Sequence, residues 1–329
     1  MSNHHNHTTT TDYRQRFFIQ DSPVRGDIVH LADSYRQISA QRPYPLALQK
    51  LLGEMLVAAS LLIGTLKING RLSIQLQHPS EATDEQARLA WAMAECDHQG
   101  HVRALADWSG DWSTLTTADD ALATLGKAGE GVLFINVQPD SMFGVQSEGY
   151  QGIVERVSNN LAECLTHYQQ QSVQIPTVIK LAADGQQAGG ILLQLLPRGN
   201  ADINTQNADD DSIDTLTAAE MLEGMSDADL FPRLSILTDT LKPEELTELP
   251  AKAILLRLYH EEPVATVDAV PLAFACTCSR EKSASAIFQL GKAEAMAIAD
   301  EQGGEMALDC GFCGQVYRFN KADIEMIFA

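Results

Sequence analysis

The sequence predicts an α+β protein in three parts. These are a mixed helix and sheet N-terminal core over residues 13–197, an acidic and mainly helical linker over 198–270, and a small C-terminal zinc-binding domain over 271–329. Three observations lead there. Up to Pro197, short alternating apolar segments flanked by turn residues are interspersed with helical runs, the pattern of antiparallel pairs with helices packed on them. Beyond it the composition breaks, and residues 201–250 hold 13 Asp and Glu against 2 Lys and Arg. Finally, four of the six cysteines stand near the C-terminus as Cys276-x-Cys278 and Cys310-x-x-Cys313, enough thiolates for a complete tetrahedral zinc site.

Residues 1–12 are polar and rich in His and Thr, and predict a disordered tail. Its His4, His5 and His7 lack a folded frame and make a weak metal site at best. Tyr13 to Val29 mixes aromatic and β-branched residues and starts the core with a strand. Pro45 opens a long helix, in which Leu48, Leu51, Leu52, Met55, Leu56, Ala59 and Leu62 recur at helical spacing and call for burial against a sheet. From Gly64 to Gln77 the period changes. Leu66 and Ile68 precede Asn69-Gly70, and Leu72, Ile74 and Leu76 alternate after it, which predicts a tight type I′ hairpin. Gly131 to Val137 and Gly144 to Val154 read as further β stretches. Ser158 opens a helix with Leu161, Cys164, Leu165 and Tyr168 on one stripe, where Cys164 serves as a small core residue. Pro176 to Leu181 and Gly190 to Leu196 flank Asp184-Gly185 as another hairpin.

Arg198 to Asp214, with Asp209-Asp210-Asp211, reads as surface linker. Thr217 and Glu220 have capping-box spacing, and short helices are expected over Leu234–Leu241 and Pro243–Leu249. Ile254 to Tyr259 carries an apolar surface. Two readings of this acidic stretch stay open: a segment held near instability by like-charge repulsion, or an acidic helical layer with a solvated face.

In Cys276-Thr277-Cys278 the two thiols share one side of an extended segment. The glycines of Cys310-Gly311-Phe312-Cys313-Gly314 permit a tight reversal that turns both sulfurs inward. The 31 residues between Cys278 and Cys310 hold a predicted helix from about Lys282 to Ala299 and a Gly303-Gly304 turn. A zinc ion on Cys276, Cys278, Cys310 and Cys313 closes that loop and replaces the core so small a domain lacks. Cys96 and Cys164 stand alone. Thiolates are also what oxidants attack, so the same four residues serve a static staple or a redox switch.

Several classes are excluded by what the chain lacks. Its formal net charge of -21 opposes nucleic acid and anionic membranes as partners. No basic segment leads into an apolar run at the start, and the apolar stretch Leu56–Leu66 is interrupted by Ser60, Gly64 and Thr65 short of a membrane span, so the cytoplasm is the expected compartment. Four thiolates leave zinc no open position for water, and neither a phosphate-binding loop nor a nucleophile elbow occurs. Cys310-x-x-Cys313 is followed by Gly314 and the β-like Gln315–Phe319, not by the helix a thioredoxin-type site needs. The expectation is a protein without catalytic residues.

The chain resembles the bacterial redox-regulated heat-shock chaperone family, the thirty-three-kilodalton holdase. The matching stretches are Val24-Arg25-Gly26-Asp27, Leu51-Leu52-Gly53-Glu54 with the segment through Gln77, and Tyr150-Gln151-Gly152-Ile153-Val154. Others are Ala188-Gly189-Gly190-Ile191-Leu192-Leu193-Gln194, Leu256-Arg257-Leu258-Tyr259-His260-Glu261-Glu262 and Cys276-Thr277-Cys278-Ser279-Arg280-Glu281 joined to Cys310-Gly311-Phe312-Cys313-Gly314. The similarity runs from about Tyr13 to Phe328, with added acidic length between Asp202 and Asp229. It implies an ATP-independent holdase that binds one zinc through the four cysteines when reduced. On oxidation, the resemblance implies, Cys276 joins Cys278 and Cys310 joins Cys313, zinc leaves, the terminal domain unfolds and the linker loosens. The active form is then a homodimer that holds unfolding client proteins and passes them to ATP-dependent chaperones. The alternative is a constitutive protein-interaction module with a structural zinc; a nucleic-acid-binding zinc ribbon and an enzyme with structural zinc rank below it.

Overall fold

The computed structural model describes residues 11–77, 86–126, 131–140, 149–197 and 228–328, so the His-rich tail, the Arg198–Asp214 linker, the Thr217/Glu220 box and the start of the Gly144–Val154 stretch lie outside the described residues. The chain divides into two compact units, Met1–Phe274 and Ala275–Ala329.

In the first unit the segment expected as one strand is a hairpin, β1 (Tyr13–Ile19) and β2 (Val24–Leu31). The turn runs through Asp21 at φ 56°, a conformation Asp tolerates better than most residues. β9 (Ala188–Leu195) pairs with β2, and β8 (Thr177–Ala183) pairs with β9 across the Asp184-Gly185 loop, as the turn residues predict. A second sheet runs in the order β12, β5, β4, β3, β6, β7. Its strands are β3 (Gly70–Gln77), β4 (Arg88–Asp97), β5 (His101–Ser109), β6 (Val132–Pro139), β7 (Tyr150–Val154) and β12 (Ala273–Phe274).

The Leu66–Gln77 hairpin does not form. β3 begins at Gly70 and pairs with β4 and β6 instead. Gly70 is not at positive φ, which a type I′ turn requires. Glycine is needed there because a Cβ would stand 2.4 Å from the Gln138 carbonyl oxygen on β6.

Helix α1 (Asp33–Ser39) starts where buried Asp12 accepts backbone N–H bonds from Ala32, at 2.6 Å, and Ser34, at 2.6 Å. Helix α2 (Leu46–Thr65) follows Pro45, which stands at the N-cap just before the first turn. Its 20 residues are longer than the apolar stretch suggested, long and apolar enough to cross a membrane, yet 83% of its most apolar window is buried inside the protein. The burial comes from both sheets. Val29, Leu31 and Leu192 of the first sheet and Leu72, Ile74, Ala92 and Leu133 of the second share one core with α2. Helix α3 (Ala118–Ala123) and helix α4 (Leu161–Gln171) flank it. α4 buries the expected stripe of Leu161, Cys164, Leu165 and Tyr168, but its N-cap is Asn160, not Ser158, with the side chain accepting from Glu163 N at 3.1 Å.

The other face of the first sheet is covered by the described part of the linker. Helices α5 (Leu230–Asp239), α6 (Pro243–Glu248) and α7 (Ala251–Tyr259) bury Leu234, Leu246, Ile254 and Tyr259 against Phe17, Ile28, Ile191 and Leu193. This double cover explains why every residue of β9 is buried. The chain then adds β10 (Val264–Thr266) and β11 (Val270–Pro271) to the β1 edge, and β12 lies parallel to β5.

The second unit comprises helices α8 (Arg280–Leu290), α9 (Lys292–Glu301) and α10 (Lys321–Ile327) with the hairpin of β13 (Glu305–Asp309) and β14 (Val316–Asn320). The single helix expected over Lys282–Ala299 is broken at Gly291, whose φ of 99° and ψ of 147° no helix accommodates. The Gly303-Gly304 turn forms, with φ of 83° and 108°.

Candidate metal centre

The four predicted ligands come together from two local devices. Cys276 and Cys278 lie on the extended segment before α8. Lys282 donates to the Thr277 carbonyl at 2.6 Å, and Ser279 caps α8 by accepting from Lys282 N at 3.2 Å, so the cysteine segment is folded onto its own helix. Cys310 and Cys313 lie in the loop of the β13–β14 hairpin. Gly314, at φ 67°, donates its N–H to the Cys310 carbonyl at 2.8 Å, and Cys310 donates to the Gln315 carbonyl at 2.8 Å.

All four sulfurs lie within 4.8 Å of one another. Two short separations cross between the segments, with Cys276 Sγ to Cys310 Sγ at 3.5 Å and Cys278 Sγ to Cys313 Sγ at 3.4 Å. A tetrahedral zinc with sulfur bonds of about 2.3 Å sets sulfur separations of about 3.8 Å, so the cluster could hold such an ion with small adjustments. All four cysteines are free thiols of intermediate burial, partly open to solvent reagents.

The electrostatics also fit a cation. Tyr317 Oη donates to Cys278 Sγ at 3.2 Å and is the largest influence lowering that thiol to about 7. Burial above all pushes Cys276 up, with help from the Cys310 and Cys278 sulfurs, and burial followed by the neighbouring sulfurs pushes Cys313 up to about 12. Four sulfurs this close do not ionise together unaided; a cation among them supplies the compensating charge.

Two supporting residues carried no assigned role in the sequence. Arg280 donates to the Arg318 carbonyl at 2.6 Å, pairs with Asp323 at 3.0 Å and stacks over Phe319 at 4.2 Å, holding the start of α8 to β14 and α10. Tyr317 shares its face of β14 with Phe319, which is buried in the unit's core. Cys96 and Cys164 are buried in the other unit, and burial raises the Cys96 thiol to about 12, which keeps it unreactive.

The Hsp33 protein family profile matches residues 12–320. A 33 kDa chaperonin of Pseudomonas aeruginosa is 39% identical over 319 residues, covering 97% of this chain and 95% of its own length. A 33 kDa chaperonin of Azotobacter vinelandii is 36% identical over 321 residues, covering 97% and 95%. The crystal structure of a 33 kDa chaperonin from Thermotoga maritima superposes with a TM-score of 0.71 at 18% identity, covering 96% of this chain and 97% of that one; this likeness speaks for the fold.

Proposed function

The chain belongs to the Hsp33 family of chaperones, and from that premise we propose that it is a redox-regulated, ATP-independent holdase for unfolding proteins under oxidative and heat stress. One observation carries the reading: four partly exposed sulfurs within 4.8 Å, in a unit whose buried apolar side chains, among the described residues, are Ile287, Ala295, Ala299, Met306, Phe319 and Ile324. A bound zinc would cross-link the Cys276–Cys278 segment to the Cys310–Cys313 turn and supply cohesion that this core lacks.

One hydrogen peroxide per cysteine pair takes two electrons and two protons, forming disulfides Cys276–Cys278 and Cys310–Cys313 while both oxygens of each peroxide leave as water. Each of these disulfides joins sulfurs of one segment, all four sulfurs standing within 4.8 Å of one another beforehand. Once bonded to each other they are poor ligands, and the unit loses its staple. The segment carrying β10 to β12 connects that unit to α5–α7. Their release uncovers Phe17, Ile28, Ile191 and Leu193, an apolar face suited to non-native chains. Ile236 and Leu256, 68% and 67% exposed on the same helices, present further apolar surface.

The active form in this reading is a cytoplasmic homodimer that hands clients to ATP-dependent chaperones, with no catalytic residue, nucleic acid or membrane involved. A constitutive interaction module with structural zinc is the second reading, favoured by the tight packing of α5–α7. Reduced, zinc-loaded protein and peroxide-treated protein are compared for suppression of client aggregation while zinc release is followed. Protection confined to the oxidised sample supports the switch; equal protection by both rejects it.

A further inference from the structure

Val24-Arg25-Gly26-Asp27 has a consequence outside the switch. Asp27 is fully buried and pairs with Arg16 at 3.1 Å and Arg14 at 3.9 Å. Arg25 receives no such partner. It donates Nε and Nη2 to Gln194 Oε1, the latter at 3.0 Å, and Nη2 to the Thr65 carbonyl at 3.3 Å, so both acceptors are neutral. Gln194 is held in that orientation by donating Nε2 to Thr177 Oγ1 at 3.2 Å and to Gln169 Oε1 at 3.4 Å. Among the described residues, Arg25 Nη1 has no hydrogen-bond partner and no carboxylate stands within ion-pairing distance of the guanidinium.

This arginine lines a half-open cavity of about 360 Å³ whose other walls include Leu62, Leu72, Ile135, Val137 and Ile175. The Tyr150 and Tyr168 hydroxyls, 2.8 Å apart, also reach it. An aliphatic chamber of this size with one charged group at its wall has the make-up of a small-ligand site. Burial first and then the neighbouring Arg16 act against the Arg25 charge more than the Asp27 carboxylate favours it, so an arriving anion relieves a cost already present in the fold.

We propose that this cavity binds a medium-chain aliphatic carboxylate, its head on Arg25 and its tail against Leu62, Leu72 and Ile135. The site is independent of the cysteines and present in the reduced protein. Local charge favours it in spite of the overall -21, because Arg14, Arg16 and Arg25 face a single buried carboxylate, Asp27.

The test is calorimetric titration of the reduced full chain with octanoate and, separately, with octanol, its neutral counterpart. Saturable octanoate binding is expected, with octanol weaker by about tenfold or more, the usual loss when a charge-assisted hydrogen bond goes. Arg25→Met should bring octanoate down to the octanol level. Val173→Trp, at a half-exposed position on the cavity lining, should abolish binding of both. Should Arg25→Met fail to fold, the octanol comparison on the unaltered chain gives the same discrimination. Absence of saturable octanoate binding, equal affinity for the alcohol, or undiminished binding by Val173→Trp overturns the proposal.

Discussion

Gly189 offers a way to lift the linker helices without touching a cysteine. A Cβ added there would stand 1.9 Å from the Leu246 carbonyl oxygen and 2.7 Å from its carbon, both on α6. Gly189 itself lies in the extended strand β9, so alanine suits its backbone and the whole conflict falls on the covering helix. Reaching ordinary contact requires a retreat of about 1.5 Å, and such overpacking costs about 1–3 kcal/mol. The population with α5–α7 detached should therefore rise by roughly five- to 150-fold. Gly189→Ala is predicted to protect an unfolding client while fully reduced and zinc-loaded. Hydrogen exchange over residues 230–259 reports the detachment, and metal analysis confirms that zinc stays bound. Faster exchange in these helices with no gain in client protection would show that the face under them is not the client surface. Unchanged exchange would refute the steric argument itself.

Three further outcomes are expected. Reduced protein should carry one zinc per chain, lost in the Cys310→Ser/Cys313→Ser double variant and kept in Cys96→Ala and Cys164→Ala; elemental analysis decides, and zinc-free reduced protein would sink the site. Chelation should remove exchange protection from residues 275–329 before the core, because structural metal binding is local folding energy; a uniform loss would contradict this. Burial raises Glu54 on α2 from 4.5 to about 8, so between those pH values the unfolded chain gives up a proton that the folded chain keeps, and stability falls as pH rises. Glu54→Gln should flatten that slope, worth up to a few kcal/mol, in urea midpoints taken at either end of the window; an unaltered slope would place the titration elsewhere.

Elements with a strong apolar period were legible in the sequence. The stripe of α4 and the hairpin of β8 and β9 are found where expected, the first because its repeat matches a buried face and the second because Asp184-Gly185 marks the turn between two apolar runs. The β4–β5 hairpin was invisible. Its inward positions include Ala92, Ala94, Ala104 and Ala106, small residues where the sheet meets α2, and alanine suggests a helix until the partner strand is known. Asn69-Gly70 misled for a related reason, since the glycine answers to a strand far along the chain. At the candidate metal centre the cysteines announced themselves by pairing, whereas Tyr317 and Arg280 acquire meaning only once β13 and β14 zip together.

The arrangement of the four sulfurs makes the outcome of oxidation a question of topology. Ligands drawn from both segments close a ring spanning the 31 residues between Cys278 and Cys310. Holding such a ring shut removes roughly 4 kcal/mol of chain entropy from the unfolded ensemble. Disulfides within each pair close only trivial rings, so the same four sulfurs would all be bonded and yet nothing would span the unit. Bonds between Cys276 and Cys310 and between Cys278 and Cys313, whose sulfurs stand 3.5 and 3.4 Å apart, would keep the long ring and fasten the unit shut. In the proposed switch, partner choice would decide whether oxidation opens or locks the protein, and peptide mapping of the oxidised chain tells which: long-range pairs would leave no unfolded terminal unit to drive it.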